Sequence, residues 1–188
     1  MFVGAGLALF FMPAAWLPSY YKPIPMGIVA IGYSFLITLP TWVFRPSRER
    51  DWFQIALALD LLLCGLGSLG FWNISIIGMF GYDKLIHFTF SASMMVTATY
   101  LLSSHNRWSM KKTVFIVALL IAVSGVAWEY IEYFFAAYFH FGYFGTLFDY
   151  DSRHDILANI LGVMAGLIVI RFRTKRRDLY INVITKTP

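Results

Sequence analysis

The sequence predicts an all-α protein, a polytopic transmembrane helical bundle of about six spans with both termini in the cytoplasm. Three observations predict it. Apolar residues make up 59% of the 188 positions and charged residues only 13%, against roughly 45–50% and 25% in an average soluble domain. Apolar runs of about 20 residues recur, the length that crosses a hydrocarbon core of roughly 30 Å at 1.5 Å per residue. Lys and Arg gather in alternate connections between those runs. A chain this short cannot hide so much apolar surface inside one globule, whereas lipid accepts it directly. One membrane domain is expected over residues 1–177, followed by a short tail over 178–188, frayed beyond Arg177.

The first run, Phe2–Tyr20, carries Pro13 and Pro18, which predict a kink. It lacks a basic leader and a small-residue cleavage site, so it reads as a retained span rather than a signal peptide. The second, Ile24–Phe44, ends with Pro40 and the Arg45-Pro46-Ser47 stretch. The third, Trp52–Trp72, contains one interior charge, Asp60, expected to be neutral or hydrogen-bonded between helices. Gly65, Gly67 and Gly70 suggest close packing there. The fourth, Lys84–Ser104, ends in the polar Ser103-Ser104-His105-Asn106 cluster. The fifth is Thr113–Phe139, and the sixth, His154–Phe172, carries a small-residue stripe, Ala158-x3-Gly162-x3-Gly166, that lets a neighbouring helix approach. Trp16, Trp42, Trp52, Trp72, Tyr82, Trp108 and Tyr143 lie near span ends and read as interfacial anchors.

Basic residues set the orientation. Arg45, Arg48 and Arg50 separate spans two and three; Arg107, Lys111 and Lys112 separate four and five; Arg171, Arg173, Lys175, Arg176, Arg177 and Lys186 follow span six. The alternate connections hold only Lys22, Lys84 and Arg153. This asymmetry puts both termini on the cytoplasmic side. The net charge of +5 therefore reports membrane orientation, and no nucleic-acid partner is expected. The lone Cys64 supports neither a disulfide framework nor a thiolate metal site.

Ionisable residues inside spans are costly and mark function by default. They concentrate in the last three spans and their outer loop: Asp83, His87, Glu129, Glu132, Asp149, Asp151, Arg153, His154 and Asp155, with Asn159. With the orientation above, they fall at similar depth in the extracytoplasmic half. Asp83 and His87 are spaced i, i+4, and Glu129 and Glu132 i, i+3, while Asp151, Asp155 and Asn159 descend one helix face in steps of four. Carboxylates so close together repel unless a proton, a basic side chain or a cation lies between them. Arg153, and secondarily Lys84, offer positive partners, and the remaining acidic excess suits a divalent cation bound by His87, Glu129 and Asp155 that could activate a water. Bland readings stand beside this one. Asp149 and Asp151 fit solvated loop acids or helix caps, His87 fits a hydrogen-bonded bundle histidine, and the cluster as a whole fits a structural ion-pair network.

The ordered motifs Tyr82-Asp83-Lys84-x2-His87-Phe88, Trp128-Glu129-x2-Glu132-Tyr133 and Asp151-x3-Asp155-x3-Asn159-x2-Gly162 resemble the VanZ-like and YjdF-like (DUF2238) families of small bacterial membrane proteins. The resemblance covers roughly residues 82–170. It maps Asp83, His87, Glu129, Asp155 and Asn159 onto family motif positions, and Arg153-His154-Asp155 onto an Arg-x-Asp of VanZ-like members. Glu132 departs from the VanZ-like pattern, which has Gln there, and agrees with the YjdF-like Glu-x2-Glu. The resemblance implies a bacterial cell membrane and, for VanZ-like members, altered glycopeptide susceptibility, without a settled reaction.

Three functions follow as expectations. The first is a metal-dependent or acid–base hydrolase or transferase acting on a membrane lipid or lipid-linked envelope intermediate. His87, Glu129 and Asp155 would be ligands or acid/base groups, assisted by Glu132 and Asp83, with Arg153 on an anionic headgroup, Asn159 orienting, and Lys84 and Asp151 completing the binding site. The second is a non-catalytic lipid-binding or envelope-modulating protein. The third, a proton- or cation-coupled transporter, is disfavoured because the acids gather at one face.

Overall fold

The computed structural model describes residues 23–67, 75–77, 80–139 and 150–184. Five helices appear in chain order: α1 (Pro23–Val43), α2 (Arg48–Gly67), α3 (Tyr82–Asn106), α4 (Met110–Phe139) and α5 (Tyr150–Ile184). They coincide with the second to sixth expected runs, and the first, Phe2–Tyr20, lies outside the described residues. A small feature that apolar periodicity does not signal precedes α3. Strands β1 (Ser75–Ile77) and β2 (Phe80–Gly81) form an antiparallel ribbon with an irregular register.

Local chemistry explains most boundaries. Pro40 sits inside α1, and the helix gives way before Arg45-Pro46, because a proline disfavours helix in the residue before it. Ser47 starts α2: its hydroxyl accepts the Arg50 amide at 3.1 Å, and Glu49 and Asp51 favour the positive helix terminus. The helix therefore begins four residues earlier than the apolar run. Gln54 donates to the Ile37 carbonyl at 3.0 Å and ties α1 to α2. α3 ends at Arg107, which adopts the left-handed conformation (φ 53°) usually left to Gly or Asn. Only two residues later Ser109 caps α4, accepting the Lys112 amide at 3.4 Å, so α3 and α4 form an antiparallel hairpin. The residues 178–184, expected as frayed tail, continue α5. No Pro or Gly interrupts them, and the 35-residue helix is about 52 Å long, more than a bilayer core requires.

Among the described residues, three helices are long and apolar enough to cross a membrane: Tyr82–Asn106, Met110–Phe134 and Asp151–Lys175. α2, of 20 residues, packs on the first of them, and α1, of 21 residues, packs on α2.

α3 is the central helix. Every residue from Gly81 to Ser103 is buried or half-buried, because α2, α4 and α5 all pack on it. α2 runs antiparallel to it: Ser93 donates to the Asp60 carboxylate, and the Tyr82 hydroxyl donates to the Leu63 carbonyl at 2.8 Å. Asp60 thus has the interhelical hydrogen bond expected of it. Tyr82, at 7% exposure, is a buried tie between helices and not the interfacial anchor its position suggested. Trp42 and Trp52 do lie exposed at the α1–α2 turn.

α5 runs parallel to α3, and the small-residue stripe makes this possible. A Cβ at Gly162 would collide with the Phe88 carbonyl oxygen and lie 2.8 Å from Ser91 Cβ; at Gly166 it would lie 2.6 Å from Met95 Cβ. Ala158 is buried in the same seam. Gly65 plays no such part, since open space surrounds its Cβ position. Met94, Met95, Val117, Ile121 and Ile170 form the core between α3, α4 and α5. The outer side of α4 is the reverse, with Phe115, Leu119, Leu120 and Val123 all more than half exposed, the pattern of a lipid-facing surface.

Candidate functional site

The parallel pairing of α3 and α5 brings their N-terminal turns to the same end of the bundle, and antiparallel α4 brings its C-terminal half there. Each N-terminus carries an acid in its first turn, Asp83 in α3 and Asp151 in α5, where the helix dipole favours negative charge. Between them lies Lys84, only 7% exposed. Its Nζ is 2.9 Å from Asp83 Oδ2 and 3.1 Å from Asp155 Oδ1, and it donates to Asp151. One buried ammonium therefore ties together three aspartates from two helices.

His87 stands one turn below Asp83. Its Nε2 is 3.6 Å from Asp83 Oδ1 and 4.0 Å from Asp155 Oδ1. Asp83 thus directs one carboxylate oxygen to Lys84 and the other to His87. The donor atoms of Asp83, His87 and Asp155 lie within 4.8 Å of one another, close enough to hold a metal ion. Glu129 of α4 reaches the same region. It is 2% exposed, within electrostatic reach of His87, and hydrogen-bonded to Ser152. Glu129 Oε1 is buried and accepts no hydrogen bond, while buried Asp155 Oδ1 has the Lys84 ammonium 3.1 Å away. Buried acceptors without a donor are uncommon and costly, so a bound cation or proton is the natural complement of this donor set.

The residues marked from sequence divide into those the fold assembles and those it leaves aside. Asp83, Lys84, His87, Asp151 and Asp155 meet directly. The expected cation trio of His87, Glu129 and Asp155 is assembled with Asp83 in the place of Glu129, because Asp83 shares a helix with His87 and sits one turn above it. Arg153, expected as the leading positive partner, is exposed and makes no ion pair among the described residues. Lys84 fills that role because α3 is the helix surrounded by the others. Asp151, read equally well as a loop acid, is a helical residue paired with Lys84. Asp149 lies outside the described residues. Glu132 is half-buried and accepts the Trp128 indole N–H at 2.6 Å within α4.

Asn159 sits one turn below Asp155. Its Oδ1 accepts the Ser91 hydroxyl at 2.7 Å, and its Nδ2 would lie 2.9 Å from a Cβ at Gly125 of α4. It therefore closes the floor of the cluster across all three helices. Sequence reasoning missed Ser91 and Ser152, both buried. Their signal was present in the spacing: Ser91 follows His87 by four residues, and Ser152 precedes Asp155 by three.

The family model for DUF2238, described as predicted membrane protein, matches residues 1–176. The chain belongs to the DUF2238 family. This is the YjdF-like side of the resemblance, to which the Glu129-x2-Glu132 pair pointed. The match extends well beyond the motif-bearing half and takes in α1 and α2. No curated protein and no solved structure matches the chain. The DUF2238 description places the protein in a membrane and attaches no reaction to it.

Proposed function

We propose that this DUF2238 protein is a membrane hydrolase or transferase that uses a divalent cation, held by Asp83, His87 and Asp155, on a lipid or lipid-linked envelope substrate. The supporting observation is the buried Glu129 Oε1, which accepts no hydrogen bond, near an imidazole whose Nε2 faces two aspartates. Such a cation would supply an activated water. Glu129, oriented by Ser152, is suited to take a proton from it. Lys84 holds Asp83 and Asp155 in place, Asn159 orients the floor of the site, and Glu132 assists from the next turn of α4. Arg153 is available to an anionic headgroup. By the distribution of Lys and Arg, the site opens to the extracytoplasmic side of a bacterial inner membrane, with both termini cytoplasmic.

The test begins with metal analysis of the purified protein. Wild type is expected to retain about one divalent ion per chain, and Asp155→Asn and His87→Ala to lose it. Across a panel of phospholipids and lipid-linked phosphates, Glu129→Gln should reduce turnover by roughly a hundred-fold or more, the usual contribution of a general base. No bound metal and no turnover in wild type would overturn the proposal.

One observation favours a second reading. Lys84 already provides a positive charge among Asp83, Asp151 and Asp155, as a non-catalytic lipid-binding or envelope-modulating protein would need. That reading expects the cellular phenotype to survive Glu129→Gln combined with His87→Asn.

A further inference from the structure

Below the polar cluster, α4 and α5 diverge to leave an apolar groove of about 240 Å³. Ala118, Ala122 and Gly125 of α4 form one wall, and Ile156, Ile160 and Met164 of α5 form the other. The small residues on α4 make the hollow: at Gly125 even a Cβ would press on Asn159 Nδ2 at 2.9 Å.

The groove borders the site at Asn159, which lines it. Ala118, Ala122, Gly125, Glu129 and Glu132 recur at intervals of three and four, so the face that lines the groove on α4 is the face that carries both glutamates. On α5 the groove residues Ile156, Ile160 and Met164 continue upward to Arg153 at the same spacing. One turn beyond Gly125 on the α4 face stands Glu129, 2% exposed and with an oxygen that accepts no hydrogen bond. One turn before Ile156 on the α5 face stands Arg153, exposed and with no ion-pair partner among the described residues. From Ala118 to Glu129 the path is about 16 Å at 1.5 Å per residue.

We infer that this groove seats one hydrocarbon chain of an anionic phospholipid, which enters sideways from the bilayer with its phosphate at Arg153 and its headgroup linkage at Glu129. Charge and shape both favour that occupant. The walls offer hydrocarbon contact, and the single cation aligned with them, a guanidinium, suits the planar bidentate recognition of phosphate. The inference rests on the lipid-linked substrate proposed above and specifies its class and its route.

The experiment uses full-length protein in nanodiscs containing phosphatidylglycerol with a diazirine in one acyl chain, or the matching neutral diacylglycerol. Illumination is expected to label peptides spanning 118–126 and 156–164. Ala122→Trp, which fills the groove, should lower that labelling about ten-fold, while Phe115→Trp, on the 70%-exposed outer side of α4, should leave it unchanged. Arg153→Gln should lower labelling by phosphatidylglycerol and leave that by diacylglycerol intact. Equal labelling around the whole of α4, or insensitivity to Ala122→Trp, would overturn the inference. So would a photoreactive residue at position 122 that crosslinks to residues 1–22 or to a second chain. Metal content of the same samples separates the two proposals: groove labelling lost with metal retained removes only this one, and metal lost with labelling retained removes only the cation chemistry.

Discussion

The two ends of the α3–α5 bundle carry opposite charge and treat it in opposite ways. At one end Asp83, Lys84, His87, Glu129 and Asp155 are drawn inside, with Lys84, Glu129 and Asp155 at 7%, 2% and 3% exposure. At the other, Arg107, Lys111, Lys112, Arg171, Arg173 and Lys175 are arranged around the helix ends, and all six are exposed or, for Lys112, stacked at 4.6 Å on Trp108 while exposed. An exposed cation costs little and orients the bundle in its membrane. A buried acid costs several kcal/mol unless its partners hold it, so a fold keeps such a group only where something depends on it. The difference in burial, more than the difference in sign, singles out the first end as the candidate site.

Removing the centre of the buried end should produce the largest change. Lys84→Met leaves Asp83, Asp151 and Asp155 without their shared cation and is expected to cost about 3–5 kcal/mol, read as a large fall in thermal unfolding temperature in detergent. A variant no less stable than wild type would show that the network does not brace the helices. Next comes the seam that brings the two N-termini together. Gly162→Val forces a side chain into the Phe88 carbonyl and Ser91 and should cost about 1–3 kcal/mol. Gly65→Ala, placed in open space, should be neutral or stabilising by up to about 1 kcal/mol through helix propensity. If both changes behaved alike, close α3–α5 approach would not be what the glycines provide.

Smaller effects are expected away from the cluster. Asp60→Asn keeps an acceptor for Ser93 and should change stability by less than about 1 kcal/mol, measured in the same unfolding assay. At the opposite end, Lys111→Gln and Arg171→Gln are expected to stay within about 0.5 kcal/mol. A loss there comparable to that of Lys84→Met would erase the contrast between the two ends.

Much of the architecture was legible in the chain. Alternation of apolar runs with polar connections located α1 to α5 to within a few residues at most ends, because hydrocarbon-length runs have few other solutions. Where boundaries moved, side-chain chemistry had extended a helix past its apolar run: Ser47 carried α2 back to Arg48, and α5 begins at Tyr150, four residues before its apolar run. The β1–β2 ribbon had no comparable signal, since its strands are three and two residues long.

For the site, sequence by itself determined the inventory. A cluster of acids with histidine was expected at one end of the last three helices, because charge inside apolar runs is expensive and its spacing falls on single helix faces. Which of those groups meet was decided only by tertiary packing. The approach of α3 and α5 through Gly162 and Gly166 placed Lys84 rather than Arg153 between the aspartates, and paired Asp83 rather than Glu129 with His87 and Asp155. Periodicity reports which face of a helix a residue occupies, but not which helix that face will touch, and the charges in this protein acquire their roles across helices.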